Sequence, residues 1–94
     1  MSAVADTVSR DDARGRYDLA FEGGSAFALY REQPGALAVF HTETPAHLRG
    51  RGIGARLVAA VLDDIRARGL KVVPRCPFVA AFIAQHPEYR DLVA

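Results

Sequence analysis

The sequence predicts a small α/β (α+β) domain: a three-stranded antiparallel meander, a long helix, a short parallel strand and a C-terminal helix. Three observations predict it. Two runs with apolar residues at alternate positions and a third, more continuously apolar run are separated by residues suited to tight turns. The periodicity then switches to that of a helix at Ile53. After Gly69, a short apolar run ended by Pro74 leads into a second helical pattern.

The elements follow in order. Residues 1–15 carry Asp6, Arg10, Asp11, Asp12 and Arg14 without useful periodicity, so they are expected to be a frayed or disordered tail with no hydrophobic signal segment. Residues 16–94 are expected to form one domain. In 16–22, Tyr17, Leu19 and Phe21 point one way and Arg16, Asp18 and Glu22 the other, as in a half-buried strand. Gly23-Gly24 suits a tight hairpin. Ser25 to Arg31 is a second strand, with Phe27 and Leu29 on one face and Tyr30 on the other. Pro34-Gly35 supplies the centre of a type II turn. Ala36 to Thr42 reads as a strand buried on both faces. Ile53, Leu57, Val61 and Ile65 recur every four residues, with Val58 and Leu62 beside them, so a helix is expected over 53–68. Arg66 and Arg68 fall in its last turn, and Gly69 suits the position just past its end. Leu70 to Val73 is the short strand. A strand–helix–strand order with so short a return implies a right-handed parallel crossover. Pro77 opens a second helix over 77–85, which His86-Pro87-Glu88-Tyr89 closes.

Composition narrows the function. The 94 residues hold twelve basic and eleven acidic side chains, a formal charge of +1. That balance argues against nucleic acid or a membrane surface as a general partner. Eleven of the twelve basic residues are Arg, which fits a compositional bias of the genome. A single cysteine cannot form an internal disulfide, which points to a reducing, cytoplasmic setting. No apolar run approaches the ~20 residues of a membrane span.

The stretch that carries chemistry runs from His41 to Arg56. Gly50, Gly52 and Gly54 interleave with Arg49 and Arg51 at the start of the long helix. No Ser, Thr, Asp or Asn stands immediately before Ile53 to cap it, and no acid falls in its first turn. Helix starts leave up to four N–H groups without intrahelical partners, and glycines let a ligand come close. An anion, phosphate above all, satisfies those groups; water capping a surface turn is the plainer alternative. No Gly-Lys-Ser/Thr follows, so this is not a Walker loop, and the third glycine comes one residue too early for the dinucleotide fingerprint.

Arg49-Gly50-Arg51-Gly52-Ile53-Gly54 fits Arg/Gln-x-x-Gly-x-Gly/Ala, and so resembles the signature of the GNAT superfamily of acyl-CoA N-acyltransferases. The chain also resembles the small single-domain GNAT-like proteins in three further motifs: His41 to Pro45, Val73 to Phe78, and His86 to Tyr89. The resemblance spans about residues 16–93. It implies acetyl-CoA as co-substrate, an amine as acceptor, no metal, and a reduced GNAT-like fold. It also implies that Thr42, Arg49, Gly50, Arg51, Gly52, Ile53, Gly54 and Ala55 bind the coenzyme, with backbone amides on the pyrophosphate. The two parallel strands are expected to splay and admit the acyl-pantetheine arm.

Cys76 directly precedes Pro77, so it sits where it can cap the second helix, a position that favours a thiolate. A neighbouring Arg75 adds to this if it turns inward. Residue types alone leave open a buried, inert cysteine. The resemblance implies an acyl acceptor. His41 is a candidate general base toward Cys76 or the amine, and Glu43, on the same strand face, is the alternative; a structural histidine and a solvated acid are the plainer readings. His47 reads as a surface residue, and His86 as part of a helix end. His41 and His47 lack metal-ligand partners at useful spacing. Larger GNAT enzymes place a tyrosine on the last helix as general acid, and loose alignment through Tyr89 puts Ala84 there. Three functions remain: an acetyltransferase acting as a monomer or weak homo-oligomer, a non-catalytic coenzyme A binding module, or an interaction domain that retains only the fold.

Overall fold

The computed structural model describes residues 7–21 and 23–94. Five strands form one sheet in the order β1-β2-β3-β4-β5. They are β1 (Ser9–Asp11), β2 (Arg16–Phe21), β3 (Gly24–Gln33), β4 (Ala36–Glu43) and β5 (Lys71–Pro74). The first four are antiparallel, and β5 runs parallel to β4. Helix α1 (Ile53–Ala67) joins β4 to β5, and α2 (Pro77–Gln85) follows β5. Short 3-10 turns fill Ala46–Leu48 and Pro87–Leu92.

The long helix forms as its periodicity requires. Ile53, Leu57, Val58, Val61, Leu62 and Ile65 are all buried. They meet Tyr17, Ala28, Tyr30, Leu37, Val39 and Val72 of the sheet, and Val79, Phe82 and Ile83 of α2, in one core cluster. The register places these sheet residues on one side, here called the helix face. At the end of α1, the Gly69 N–H donates to the Arg66 carbonyl and the Leu70 N–H to that of Ile65, both near 3 Å. This is a Schellman closure, and Gly69 supplies its left-handed residue at φ 69°.

Three details depart from expectation. Residues 9–15 are not a tail. Ser9, Arg10 and Asp11 pair with Asp18, Tyr17 and Arg16 as an edge strand, and two of the charges that made the segment look unstructured, Arg10 and Asp12, have partners elsewhere in the fold. Residues 1–6 lie outside the described residues. Second, Phe21 pairs with Gly24, so the two-residue loop is 22–23, one residue earlier than Gly23-Gly24; the face assigned to Glu22 lies outside the described residues. The faces of β3 divide as expected, with Tyr30 opposite Phe27 and Leu29; the core face is that of Ala26, Ala28 and Tyr30, and Phe27 and Leu29 are half-buried. The guanidinium of Arg16 covers the Phe27 ring at 4.0 Å, which makes that exposure tolerable. Third, β4 is buried on both faces only from Ala36 to Val39; Phe40 and His41 are exposed.

A polar network explains how β1 is held. The Tyr17 side chain is fully buried, and its hydroxyl donates to Asp64 on α1 at 2.7 Å. Arg10 donates to the same carboxylate at 3.1 Å and pairs with Asp12 at 3.1 Å. Tyr30 donates to Asp12. Burial and these carboxylates push both phenols well above the usual tyrosine range. A hydrogen bond from a buried hydroxyl to a charged acceptor contributes about 1.5–3 kcal/mol. Tyr17→Phe is therefore expected to lower unfolding free energy by about that amount in urea titration at neutral pH, with the fold retained.

The Tyr30 hydroxyl, with help from Arg10, holds the Asp12 carboxyl below its ordinary value. A lowered folded-state value gives a contribution present above the unfolded one, about 3.9, and lost as pH falls through the folded one. Amides of β1 should thus lose hydrogen-exchange protection in acid before those of β3 do.

Candidate active site

The site begins where β4 and β5 part. Their parallel pairing runs from Ala36 opposite Lys71 to Val39 opposite Pro74, and stops. Pro74 has no N–H to continue the ladder. The backbone N–H groups of Arg75 and Cys76 both turn onto the Val39 carbonyl, each at 3.0 Å. On its other side β4 carries a bulge. Leu29 faces His41 and Tyr30 faces Val39, so Phe40 is an extra residue. One inserted residue reverses the alternation that follows. Thr42, across from Ala28, returns to the helix face. His41 and Glu43, across from Leu29 and Phe27, go to the outer face.

Between this freed stretch of β4 and the start of α1 lies a cavity of about 610 Å³. Its walls include His41, Thr42, Glu43 and Thr44 from β4 and the residue after it, and Leu48 and Arg49 from the loop. Gly50, Gly52, Ile53, Gly54 and Ala55 form its glycine-rich end, and Phe78 reaches in from α2. Arg51 is exposed and not part of the lining.

The glycines serve two different needs. Gly50 and Gly52 take φ of 84° and 72°, and a Cβ on either would meet nothing within 4 Å. They are required by backbone conformation. Gly54 is helical, and a Cβ there would lie 3.0 Å from the Phe78 ring and 3.6 Å from the Thr44 hydroxyl. It is required by close approach. Gly52 is the N-cap of α1, no side chain caps it, and no acid lies in the first turn. Arg56 N–H to the Gly52 carbonyl, 3.1 Å, is the first helical hydrogen bond. The N–H groups of Ile53, Gly54 and Ala55 precede it, and all three residues line the cavity. An anion there would meet backbone donors and the positive end of the helix dipole. Arg49 lies beside them, its Nε donating to the Thr44 carbonyl at 3.4 Å.

Cys76 is the N-cap of α2 and is buried. Its Sγ lies 3.6 Å from the Thr42 hydroxyl. Burial pushes the thiol up, but the Val79 N–H, the Thr42 hydroxyl and the Phe78 N–H together outweigh it and hold the thiol below its ordinary value. Arg75 is exposed.

The structure brings together Thr42, Cys76 and the glycine-rich helix start. It does not bring His41 to Cys76 from β4; the residue that β4 presents there is Thr42. His41 instead meets Glu43, 3.3 Å from Nε2 to Oε1, and packs its ring 6.0 Å from that of Phe27. His47 bonds the Gly23 carbonyl at 3.0 Å and ties the loop to a hairpin. His86 caps α2: its Nδ1 bonds the Phe82 carbonyl at 2.8 Å, with the two rings stacked at 3.9 Å. Tyr89 donates to Asp63 at 2.9 Å, and burial with that carboxylate raises it to about 12. Among the described residues, no three His, Cys, Asp or Glu side chains cluster as a metal site, and no helix is long and apolar enough to cross a membrane. Phe78 and Leu48 were not singled out as site residues from sequence, whereas Thr44 falls in the Thr42–Pro45 segment expected beside the acyl-pantetheine arm. Phe78 had one signal, its place in the first turn after Cys76-Pro77; as an apolar helix residue it otherwise looked like core, yet it is 47 % exposed.

This architecture is that of the GNAT acyltransferases. Residues 16–92 match the GCN5-related N-acetyl-transferase family, and the chain belongs to it. Among solved structures it is similar to the solution structure of a GCN5-like protein from Staphylococcus aureus, with a TM-score of 0.70 and 21 % identity over 98 % of this chain and 91 % of that one. At that identity the likeness speaks for the fold. No curated protein matches the chain significantly.

The two glycine requirements separate under mutation. Gly52→Ala forces an alanine into the left-handed region and is expected to cost about 1–2 kcal/mol in chemical denaturation. Gly54→Ala is expected to stay within ~1 kcal/mol of the parent, since helix propensity improves by up to that much and the ring it meets is the end of a mobile side chain. A crystal structure of that variant should show Phe78 displaced.

Proposed function

We propose that the chain is an acetyl-CoA-dependent N-acetyltransferase. The observation that carries this reading is the cavity itself, which runs from the uncapped start of α1 along the freed β4 stretch to Thr42, the neighbour of Cys76. The coenzyme pyrophosphate would accept hydrogen bonds from the N–H groups of Ile53, Gly54 and Ala55, with Gly50 and Gly52 shaping the turn and Arg49 and Arg51 adding positive charge. The pantetheine arm would lie along Thr42 and Thr44, and its thioester would reach toward Cys76.

In the covalent route, the Cys76 thiolate attacks the thioester carbonyl. A carbon–sulfur bond forms to Cys76, the bond to the coenzyme sulfur breaks, and the coenzyme leaves as thiolate. The acceptor amine then attacks acetyl-Cys76, and Cys76 departs as thiolate. The proton lost by the amine passes to His41 or Glu43, which stand on the outer face as a pair. The lone buried cysteine suits a reducing cytoplasm, and the fold suits a monomer or weak homo-oligomer.

The burial of Cys76, 7 % exposed, favours a second reading: a coenzyme A binding module without transfer. A thermal shift with coenzyme A tests what both share. At 100 times Kd the ligand should stabilise the fold by about 2.7 kcal/mol; no shift leaves only an interaction domain. Intact-mass analysis after incubation with acetyl-CoA should then reveal one acetyl group on the parent and none on Cys76→Ala. If Cys76→Ala transfers acetyl to an amine at the parental rate, the covalent route is wrong. Binding with no turnover across an amine panel would favour the second reading.

A further inference from the structure

The bulge at Phe40 decides which β4 side chain meets Cys76. With regular alternation through Val39, Phe40 and His41, the imidazole would return to the helix face and Thr42 would point outward. The extra residue inverts this and sets the Thr42 hydroxyl 3.6 Å from Sγ. We infer that Thr42 is a positioning residue of this site: its hydroxyl donates a hydrogen bond to Cys76 Sγ and holds the sulfur as a thiolate behind the Thr42 wall of the cavity. This rests on the reading of Cys76 as the sulfur that meets the acyl group.

The surroundings of the sulfur leave this work to neutral donors. While Cys76 is a thiol, either group can donate across the contact. Once the S–H proton has gone to water, the electron pair stays on sulfur and only Thr42 can donate. The backbone N–H groups of Val79, Phe78 and Thr42 favour the charged form of the sulfur, although the Cys76 side chain makes no capping hydrogen bond to α2, and no acidic side chain lies in that helix's first turn. From β4, His41 and Glu43 are on the far face. Arg75, next in the chain, and Arg56, in the first turn of α1, are both exposed. Among the described residues, Thr42 is thus the side chain within hydrogen-bonding reach of the sulfur. Its Oγ1 keeps its own proton throughout, so it takes no part as an acid or base.

The chain has a single cysteine, so thiolate absorbance at 240 nm, corrected with Cys76→Ala, reads this sulfur alone. In the full chain the inflection is expected below the ordinary cysteine value of about 8.5. Thr42→Val should raise it by roughly one to two pH units, the worth of a hydrogen bond to a charged acceptor. Thr42→Ser, which restores a hydroxyl without the methyl group, should return it toward the parental value. Circular dichroism melts establish that each variant is folded; if Thr42→Val is not, Thr42→Ala against Thr42→Ser gives the same contrast. A parental inflection at or above 8.5, or superimposable curves for the hydroxyl and non-hydroxyl variants, would overturn the inference. The titration needs no coenzyme: shifted curves with no acetyl-enzyme would remove the covalent route while leaving the role of Thr42 standing.

Discussion

Parallel pairing between β4 and β5 ends at Val39 and Pro74, and the site depends on that ending. Two strands that stayed hydrogen-bonded would leave no room between them. Here the separation has two causes in the covalent chain. Pro74 lacks the N–H that the ladder would need next. Phe40 is one residue too many for the register with β3, so β4 bends as it passes Tyr30. The Val39 carbonyl, at the branching point, accepts two N–H groups, which turns residues 75 and 76 directly into α2. The same junction therefore frees the edge of β4 and seats Cys76 at a helix start.

The other end of the cavity is held by different physics. Helix α1 packs along its whole length through a continuous apolar stripe, and a Schellman closure finishes its far end. Its near end has no side-chain cap. A helix anchored this well elsewhere can leave its first N–H groups to a ligand, because the cost of an uncapped start, about 1 kcal/mol, is small beside the burial of six large side chains at roughly 1.5–3 kcal/mol each. Phe78 then joins the two ends, since its ring sits against Gly54 and so ties the spacing of α2 to that of α1.

Much of this was legible in the sequence because it is local. The stripe from Ile53 to Ile65, the role of Gly69, Pro77 at the start of α2 and the placement of Cys76 all follow from periodicity or terminal residue preferences, and all match the structure. What was missed is non-local. The strand over residues 9–11 has no apolar alternation; it is held by Arg10 and Asp12 reaching Asp64 and Tyr30, more than fifteen residues away. The string also leaves open which face of β3 is the core one, because nothing in it reveals that Arg16 shelters the Phe27 ring. The bulge left no mark either. His41-Thr42-Glu43 reads the same with or without it, yet it decides which side chain meets the sulfur.

That last point bears on how such a site divides its labour. A strand alternates its side chains, so three consecutive residues always offer two to one face and one to the other. Here the two ionisable residues, His41 and Glu43, share the outer face with Arg16 and Phe27, where both remain about half exposed. The neutral hydroxyl of Thr42 takes the inner face beside the buried Cys76, where a charge would have to be desolvated. A buried imidazolium beside Cys76 would stabilise a thiolate more strongly, at that desolvation cost. The Thr42 hydroxyl and neighbouring backbone N–H groups shift the thiol in the same direction without burying any permanent charge.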